Sequence, residues 1–497
     1  MTDMANLIDI TSNILSQNTI CFETREINQE LIPNPIQNAN FGIINFTAIT
    51  SEEIYEEIDF LFVIDCSGSM SYACSDGISK MNHIIHTLKN IILFFHEHPK
   101  ININITINAF DTTIYPIVSR TKVTDYNFNK IIYKIEKIVP RGSTNIEYAL
   151  RNSSNIINNL LIKFPTNNIN HIFMTDGEAN EGSKDISLLQ SILNPRVTNT
   201  FIGFGVDHDA SLLNSISSIN KGAYYFIDKL DSAGLVYGEI LHGILYKLIT
   251  NSEIIIENGL VYDFKTNKWV NSLSIGDIAS EANKIYNIIS NVPNKCKVYI
   301  KGSVGDLVVL FPSSLIETSD LTNQIYRQRT LQLLYEVNDF CNRKRTYDDS
   351  HDDNILYFEH ENTFEHENND LQIKLTNFIQ EIKKYITDNN LEEDKFLKNL
   401  CDDIYVCYRT IGTRFGTMFC TARQTSQGTQ RQYTASSITE DIYNSPRNSP
   451  RIPVLNRQII QHDMSNFDDT PYLTPQATQV MREISKIVGH SDYTQEY

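Results

Sequence analysis

Between residues 58 and 245 the apolar residues switch repeatedly between strand spacing and helix spacing, and that alternation leaves few architectures open to the chain. Phe60 to Asp65 is a short apolar run closed by a carboxylate. Gly77 to His98 then sets Ile78, Met81, Ile84, Ile85, Leu88, Ile91, Ile92 and Phe95 at the spacing of a helix face, and Pro99 stops it. Ile101 to Asn108 alternates strictly between apolar and polar residues, which predicts a strand with one face either exposed or lined by amides. The same reading predicts helices over 126–139, 145–163, 186–193, 210–219 and 230–248, and strands over 171–175, 200–204 and 223–227. Strands that alternate with helices predict an α/β fold, a doubly wound and mostly parallel sheet covered by helices.

The first strand runs into Asp65-Cys66-Ser67-Gly68-Ser69-Met70, with one carboxylate and two hydroxyls at alternate positions. Alone, such a run reads as an ordinary Asx or Ser turn, because acidic and hydroxyl residues are common where strands end in loops. Two further segments bear on it. Pro140 to Asn145 leads into a helical pattern and carries hydroxyls, and Ile172 to Glu178 closes another short apolar strand and carries Asp176. A hydroxyl from the first and a carboxylate from the second complete an all-oxygen shell of five protein side chains. That composition suits Mg²⁺, which takes about six oxygen ligands at about 2.1 Å and retains some water. Asp65 and Asp176 both fall at strand carboxyl ends, where doubly wound sheets collect ligands.

Together the three segments resemble the metal-ion-dependent adhesion site of von Willebrand factor type A domains. The resemblance spans roughly residues 58 to 245 and implies a Rossmann-like domain, with Asp65, Ser67 and Ser69 in the first loop of the metal site, Thr144 in the second and Asp176 in the third. Thr200 to Ala210 resembles the late strand and small-residue turn of the same family. The function implied is protein recognition dependent on Mg²⁺, or on Mn²⁺ or Ca²⁺, in which a Glu or Asp of the partner takes the open place on the ion. Farther on, Ser274 to Glu281 and Arg327 to Val337 resemble the region that follows the A domain in Hint-associated members and their RING or U-box relatives. The sequence has no RING cysteine set and no recognisable Hint nucleophile, so neither ubiquitin ligation nor autoprocessing is implied.

A chain of 497 residues exceeds what one core usually holds. Short alternating runs in residues 1–57 and 249–318 predict strands from both flanks packing into a β-sandwich beside the 58–248 domain. Residues 319–420 read as a small helical region interrupted by an acidic linker at 343–370. Within that linker Asp348, Ser350, Asp352 and Glu359 loosely imitate a calcium loop, but Asp353 stands where the sharp turn needs Gly, so a solvated linker is the reading adopted. His351, His360 and His366 are expected to be exposed rather than ligating. From 421 to 497 the chain turns to Gln, Ser, Thr, Asn and Pro and is expected to be a largely disordered tail, with Ser445-Pro446 and Ser449-Pro450 fitting proline-directed kinases and Ala477 to Val488 a short docking helix.

A net charge of −18 argues against a phosphate-binding surface and hence against nucleic acid as a partner. Eight cysteines without a C-x-x-C pair read as reduced structural thiols. The amino terminus lacks the basic and apolar regions of a secretory signal, and the best apolar run, Ile84 to Phe95, contains His86 and Lys89, so the expectation is a soluble intracellular protein without a membrane span. Four functions are then open: a metal-dependent protein-binding module, a scaffold whose metal only stabilises the fold, a ubiquitin-pathway component, and a metal-assisted hydrolase acting by phosphoryl transfer. The last is disfavoured because Ser67 stands where aspartate-nucleophile phosphatases have a second Asp. The chain is therefore expected not to be an enzyme.

Overall fold

The computed structural model describes residues 14–51, 57–74, 77–177, 179–205, 208–218, 222–227, 230–305, 307–316, 319–350, 357–413, 415–431, 472 and 474–488. Strands β1 (Leu15–Glu26) and β2 (Asn40–Ala48) pair antiparallel before the α/β part begins. That part runs β3 (Ile58–Asp65), α1 (Lys80–Glu97), β4 (Ile103–Phe110), β5 (Ile114–Lys122), α2 (Phe128–Ile135), α3 (Ile146–Lys163), β6 (Asn168–Thr175), α4 (Ile186–Ile192), β7 (Thr198–Phe204), α5 (Ala210–Ser217), β8 (Gly222–Ile227) and α6 (Leu230–Leu245). Its strands lie in the order β5-β4-β3-β6-β7-β8, and every pairing is parallel except that of β5 with β4. The winding reverses between β3 and β6, so their carboxyl ends border the crevice where ligands of such sheets bind.

Strand β3 is the centre of the sheet, and its whole length is buried. Successive side chains feed opposite layers: Phe60, Phe62 and Ile64 join one core with α1 and α6, while Leu61 and Val63 join another with α3 and α5. In β4 the polar face is buried and amide-lined, since Asn104, Thr106 and Asn108 are all enclosed and Asn104 Nδ2 donates to Glu57 Oε1 at 2.6 Å. Helix α1 starts at Lys80 rather than Gly77 because Gly77 sits at φ +80°, outside the helical region, and Ser79 Oγ caps the helix by accepting from the Asn82 N–H at 3.2 Å.

The chain returns through β9 (Lys247–Glu257), β10 (Leu260–Asp263), β11 (Lys268–Val270), β12 (Ser272–Ala279), β13 (Asn283–Ser290), β14 (Lys297–Val304), β15 (Leu307–Pro312) and β16 (Ser314–Leu315). Strand β13 pairs antiparallel with β2, Phe41 opposite Ile289, so early and late strands share one sheet, β11-β10-β13-β2-β1-β16. The facing sheet is β12-β9-β14-β15, and Phe22, Ile44, Phe46, Ile254, Ile288 and Ile300 lie in the core between the two.

Two expectations about the rest of the chain are corrected. The acidic stretch at 343–370 is helical wherever it is described: α7 (Thr322–Ser350) runs into it and α8 (Tyr357–Asp388) runs out of it. Cross-helix contacts hold that part together, with Arg343 Nη2 2.5 Å from Glu367 Oε1 and Phe340 against Phe364. His366 is exposed beside Asp370, and residues 351–356 with the side chains of His351 and His360 lie outside the described residues. A tail does not begin at 421 either, because α10 (Gly416–Thr429) follows α9 (Lys395–Thr410) and is buried along most of its length. Its polar residues are enclosed because they are bonded: Asp403 accepts from Arg423 at 2.7 Å and from Gln427 at 2.6 Å. The two Ser-Pro sites lie outside the described residues.

The final element, α11 (Pro475–Val488), lies against α6 and α1 and buries Ala477, Val480, Met481 and Ile484 in the α/β core. Gly238 permits this approach, since a Cβ there would meet Met481 Cγ at 2.5 Å. None of the eight cysteines forms a disulfide, and among the described residues no helix is long and apolar enough to cross a membrane.

Two tests follow from the packing. Met481→Asp, which sets an unpaired carboxylate in that core, is expected to release α11 while the sheet stays folded, seen as fast amide exchange confined to 475–488. His171 is fully buried, and burial lowers its imidazole from 6.5 to about 4. The unfolded chain therefore takes up a proton that the fold refuses, so stability is full above about pH 6.5 and falls as the pH drops toward about 4. Urea denaturation should show His171→Gln losing about 2 kcal/mol less than the parent between about pH 7.5 and about pH 5.

Candidate metal centre

The loop after β3 alternates between core and crevice. Cys66 and Met70 are buried in the core on one side, and the Cys66 N–H donates to Phe110 O at 2.7 Å. Between them Asp65, Ser67 and Ser69 form a bonded set: the Ser67 N–H donates to Asp65 Oδ1 at 2.8 Å and the Ser67 and Ser69 hydroxyls lie 3.1 Å apart. From β6 the Thr175 hydroxyl donates to the second oxygen, Asp65 Oδ2, at 2.6 Å. Asp65 is wholly enclosed.

The second loop is stitched to the first through backbone, with the Arg141 N–H donating to Cys66 O at 2.6 Å and the Gly68 N–H to Gly142 O at 3.0 Å. Gly142 is required there, since it sits at φ +66° and a Cβ would stand 2.8 Å from Asp111 Oδ2. Asp111 braces the turn: its carboxylate accepts from the Thr113 N–H at 2.8 Å and the Tyr115 hydroxyl at 2.9 Å, and its carbonyl accepts from the Asn145 N–H at 3.1 Å. Thr144 follows, fully buried, and Asn145 caps α3. The third loop joins the second where the Asn180 N–H donates to Thr144 O at 3.0 Å. It also meets the loop after β7, where the Asp209 N–H donates to Asp176 O at 3.1 Å.

All five residues singled out in the sequence thus lie on three interlocked loops at the carboxyl edge of β3 and β6. Asp176 is enclosed, and its Oδ2 lies 3.1 Å from the ammonium of Lys80, whose side chain is only 2% exposed. Its other oxygen, Asp176 Oδ1, and the Thr144 hydroxyl are buried and have no hydrogen-bond partner among the described residues. Burial first, and then the charge of Asp176, push the Asp65 carboxyl well above the usual carboxylate range. Two enclosed carboxylates and three hydroxyls, two of whose oxygens are the unsatisfied ones just named, form a donor set that fits a hard divalent cation. The nitrogen and sulfur chemistry of zinc is not involved, and among the described residues no group of three or more His, Cys, Asp or Glu is arranged to hold a metal.

Three residues of the site escaped the sequence reading. Asp111 and Thr175 carry no distinguishing signal, one being an acidic residue after a strand and the other a β-branched residue inside one. Lys80 carries a weak signal: a cation at the first position of α1 opposes the helix dipole, so its presence asks for a nearby anion.

Residues 59–238 match the family model described as von Willebrand factor type A domain. Among curated proteins the chain is similar to the inter-alpha-trypsin inhibitor heavy chain H2 of Sus scrofa, 28% identical over 204 residues that make up 40% of this chain and 21% of that one. It is also similar to a von Willebrand factor A domain-containing protein of Dictyostelium discoideum, 26% identical over 234 residues, 45% of this chain and 24% of that one. The matches span less than a quarter of either relative's length. Among solved structures, the ArnB paralog VWA2 from Sulfolobus acidocaldarius aligns over 84% of this chain and 96% of its own with 13% identity and a TM-score of 0.45. The type A protein from Catenulispora acidiphila aligns over 65% of this chain and 80% of its own, with 14% identity and a TM-score of 0.44. The Rossmann-like unit that carries the interlocked loops, residues 59–238, is a von Willebrand factor type A domain.

Proposed function

We propose that this domain is a divalent-cation-dependent protein-binding module. Type A domains commonly mediate protein–protein interaction, and here Asp65, Ser67, Ser69 and Thr144 would hold Mg²⁺, or Mn²⁺ or Ca²⁺, with Asp176 binding it directly or through water. The observation that carries this reading is the pair of buried oxygens, Thr144 Oγ1 and Asp176 Oδ1, that have no partner among the described residues. An enclosed oxygen without a partner is costly in any fold, and a cation held by the two adjoining loops would satisfy both.

When bound, the ion supplies a Lewis-acidic position for an anionic oxygen. The chain's own contribution is a set of ligands with few formal charges, so the positive charge is not cancelled before a partner arrives. A Glu or Asp side chain of a protein partner is the group that fits, a compact anion with a free oxygen. Binding is favoured over catalysis because Ser67 stands two residues after Asp65, and its hydroxyl is shared with Ser69 rather than backed by a base.

Calorimetry with Mg²⁺ is expected to show binding by the parent chain, none by Asp65→Ala and roughly tenfold weaker binding by Ser69→Ala, with circular dichroism unchanged. Unchanged affinity in both variants would falsify the ligand assignment. Affinity capture from cell lysate is expected to retain a partner in Mg²⁺ that is lost in EDTA and lost with Asp65→Ala. Equal retention under all three conditions would leave the ion a structural role.

A further inference from the structure

The crevice of the type A domain holds two enclosed carboxylates, Asp65 and Asp176, and like charges buried together are unfavourable unless something positive is near. Lys80 is that group. Its Nζ lies 3.1 Å from Asp176 Oδ2, and the two side chains are 2% and 0% exposed. Neither desolvation nor helix position favours a lysine there, because an enclosed ammonium loses its water and the first turn of α1 presents the positive end of the helix dipole. The approach is nevertheless built in. The segment after Ser69 folds back on itself, with a bridge between Ala73 and Ser79, the Cys74 N–H donating to Ile78 O at 2.8 Å and the Lys80 N–H donating to Tyr72 O at 3.0 Å. Through this return the loop bearing Ser67 and Ser69 fixes the stem of Lys80 as well.

We propose that Lys80 is an internal counter-cation of the metal site: it holds the metal-free domain together and sets how tightly a divalent ion binds. This rests on the reading of the site as a cation centre and concerns its regulation. Counting only these three described groups, and taking both carboxylates in their ionised, ion-binding form, one ammonium leaves a single unit of negative charge. A divalent ion then brings the sum to a single unit positive instead of neutral. Lys80 thus weakens ion binding and, in exchange, leaves the loaded crevice with positive charge for an anionic partner. It also keeps Asp176 Oδ2 engaged, so that Asp176 offers the ion its other oxygen, Oδ1.

The test uses the full chain carrying Lys80→Met or Lys80→Gln, the second keeping a donor without the charge. Calorimetry with Mg²⁺ alone is expected to show both variants binding roughly tenfold more tightly than the parent. Thermal melting in EDTA is expected to show both less stable than the parent, with the difference removed by saturating Mg²⁺; a variant that folds only with Mg²⁺ supports the proposal equally. Equal or weaker Mg²⁺ binding by both variants overturns it, as does a loss of stability that Mg²⁺ leaves unrepaired, which would make Lys80 a packing residue. Should neither parent nor variants bind Mg²⁺, Mn²⁺ or Ca²⁺, the cation centre itself fails and this proposal with it. If the parent binds and the variants bind no better, only the role of Lys80 fails.

Discussion

Two carboxylates are enclosed where neighbouring parallel strands end, and much of the surrounding chain is arranged to make that tolerable. Asp65 is held by a backbone amide and the Thr175 hydroxyl, Asp176 by the Lys80 ammonium. Asp111, outside the crevice, spends its hydrogen bonds fixing the turn that carries Thr144. These are local devices, but the position they serve is topological. Only between β3 and β6 does the winding change hand, so only there do two adjacent loops diverge and leave a crevice into which side chains can point.

Much of this was legible in the sequence, for a definite reason. Periodicity is a local property, and the runs from Phe60 to Asp65 and from Ile172 to Thr175 state both their strand character and where they stop. Five oxygen-bearing side chains at strand ends or before a helix are likewise local signals. Lys80 was not legible as part of the site because its partner lies 96 residues away, and its own neighbourhood reads as the ordinary first turn of an amphipathic helix.

The misreading of α10 has a different origin. Residues Thr421 to Gln427 look like linker by composition, yet they are buried in a network that includes Asp403, Asn338 and Gln424. Composition reports how much apolar surface a segment can bury, not whether its polar atoms find partners. Where they do, a polar helix becomes interior. The same network places Gln430 and Arg431 against both neighbours, since Lys284 donates to Gln430 O at 2.8 Å and Arg431 donates to Tyr224 O at 2.9 Å. The sandwich, the helical region and the type A domain are thereby joined by polar contacts as well as by apolar packing, since Val406, Met418 and Phe419 of the helical region share a core with Leu61, Phe173 and Phe226.

The sharing of one sheet by β2 and β13 has a consequence in time. A ribosome finishes β2 before it has made any of the type A domain, and β13 only after all of it. At about 5 to 20 residues per second the delay is on the order of 10 to 50 s, long beside the folding time of a small domain. For that interval β1 and β2 lack the neighbours of both their outer edges, β16 and β13, and leave an apolar face unfilled, the kind of surface that pairs with other chains. Residues 59–238 can begin to fold meanwhile, although α11 joins their core only later, and bring the point where β9 begins back beside the end of β2. Their folding then becomes the step that closes the sandwich, so a defect in the crevice would be felt first as aggregation of a sheet that contains none of its residues.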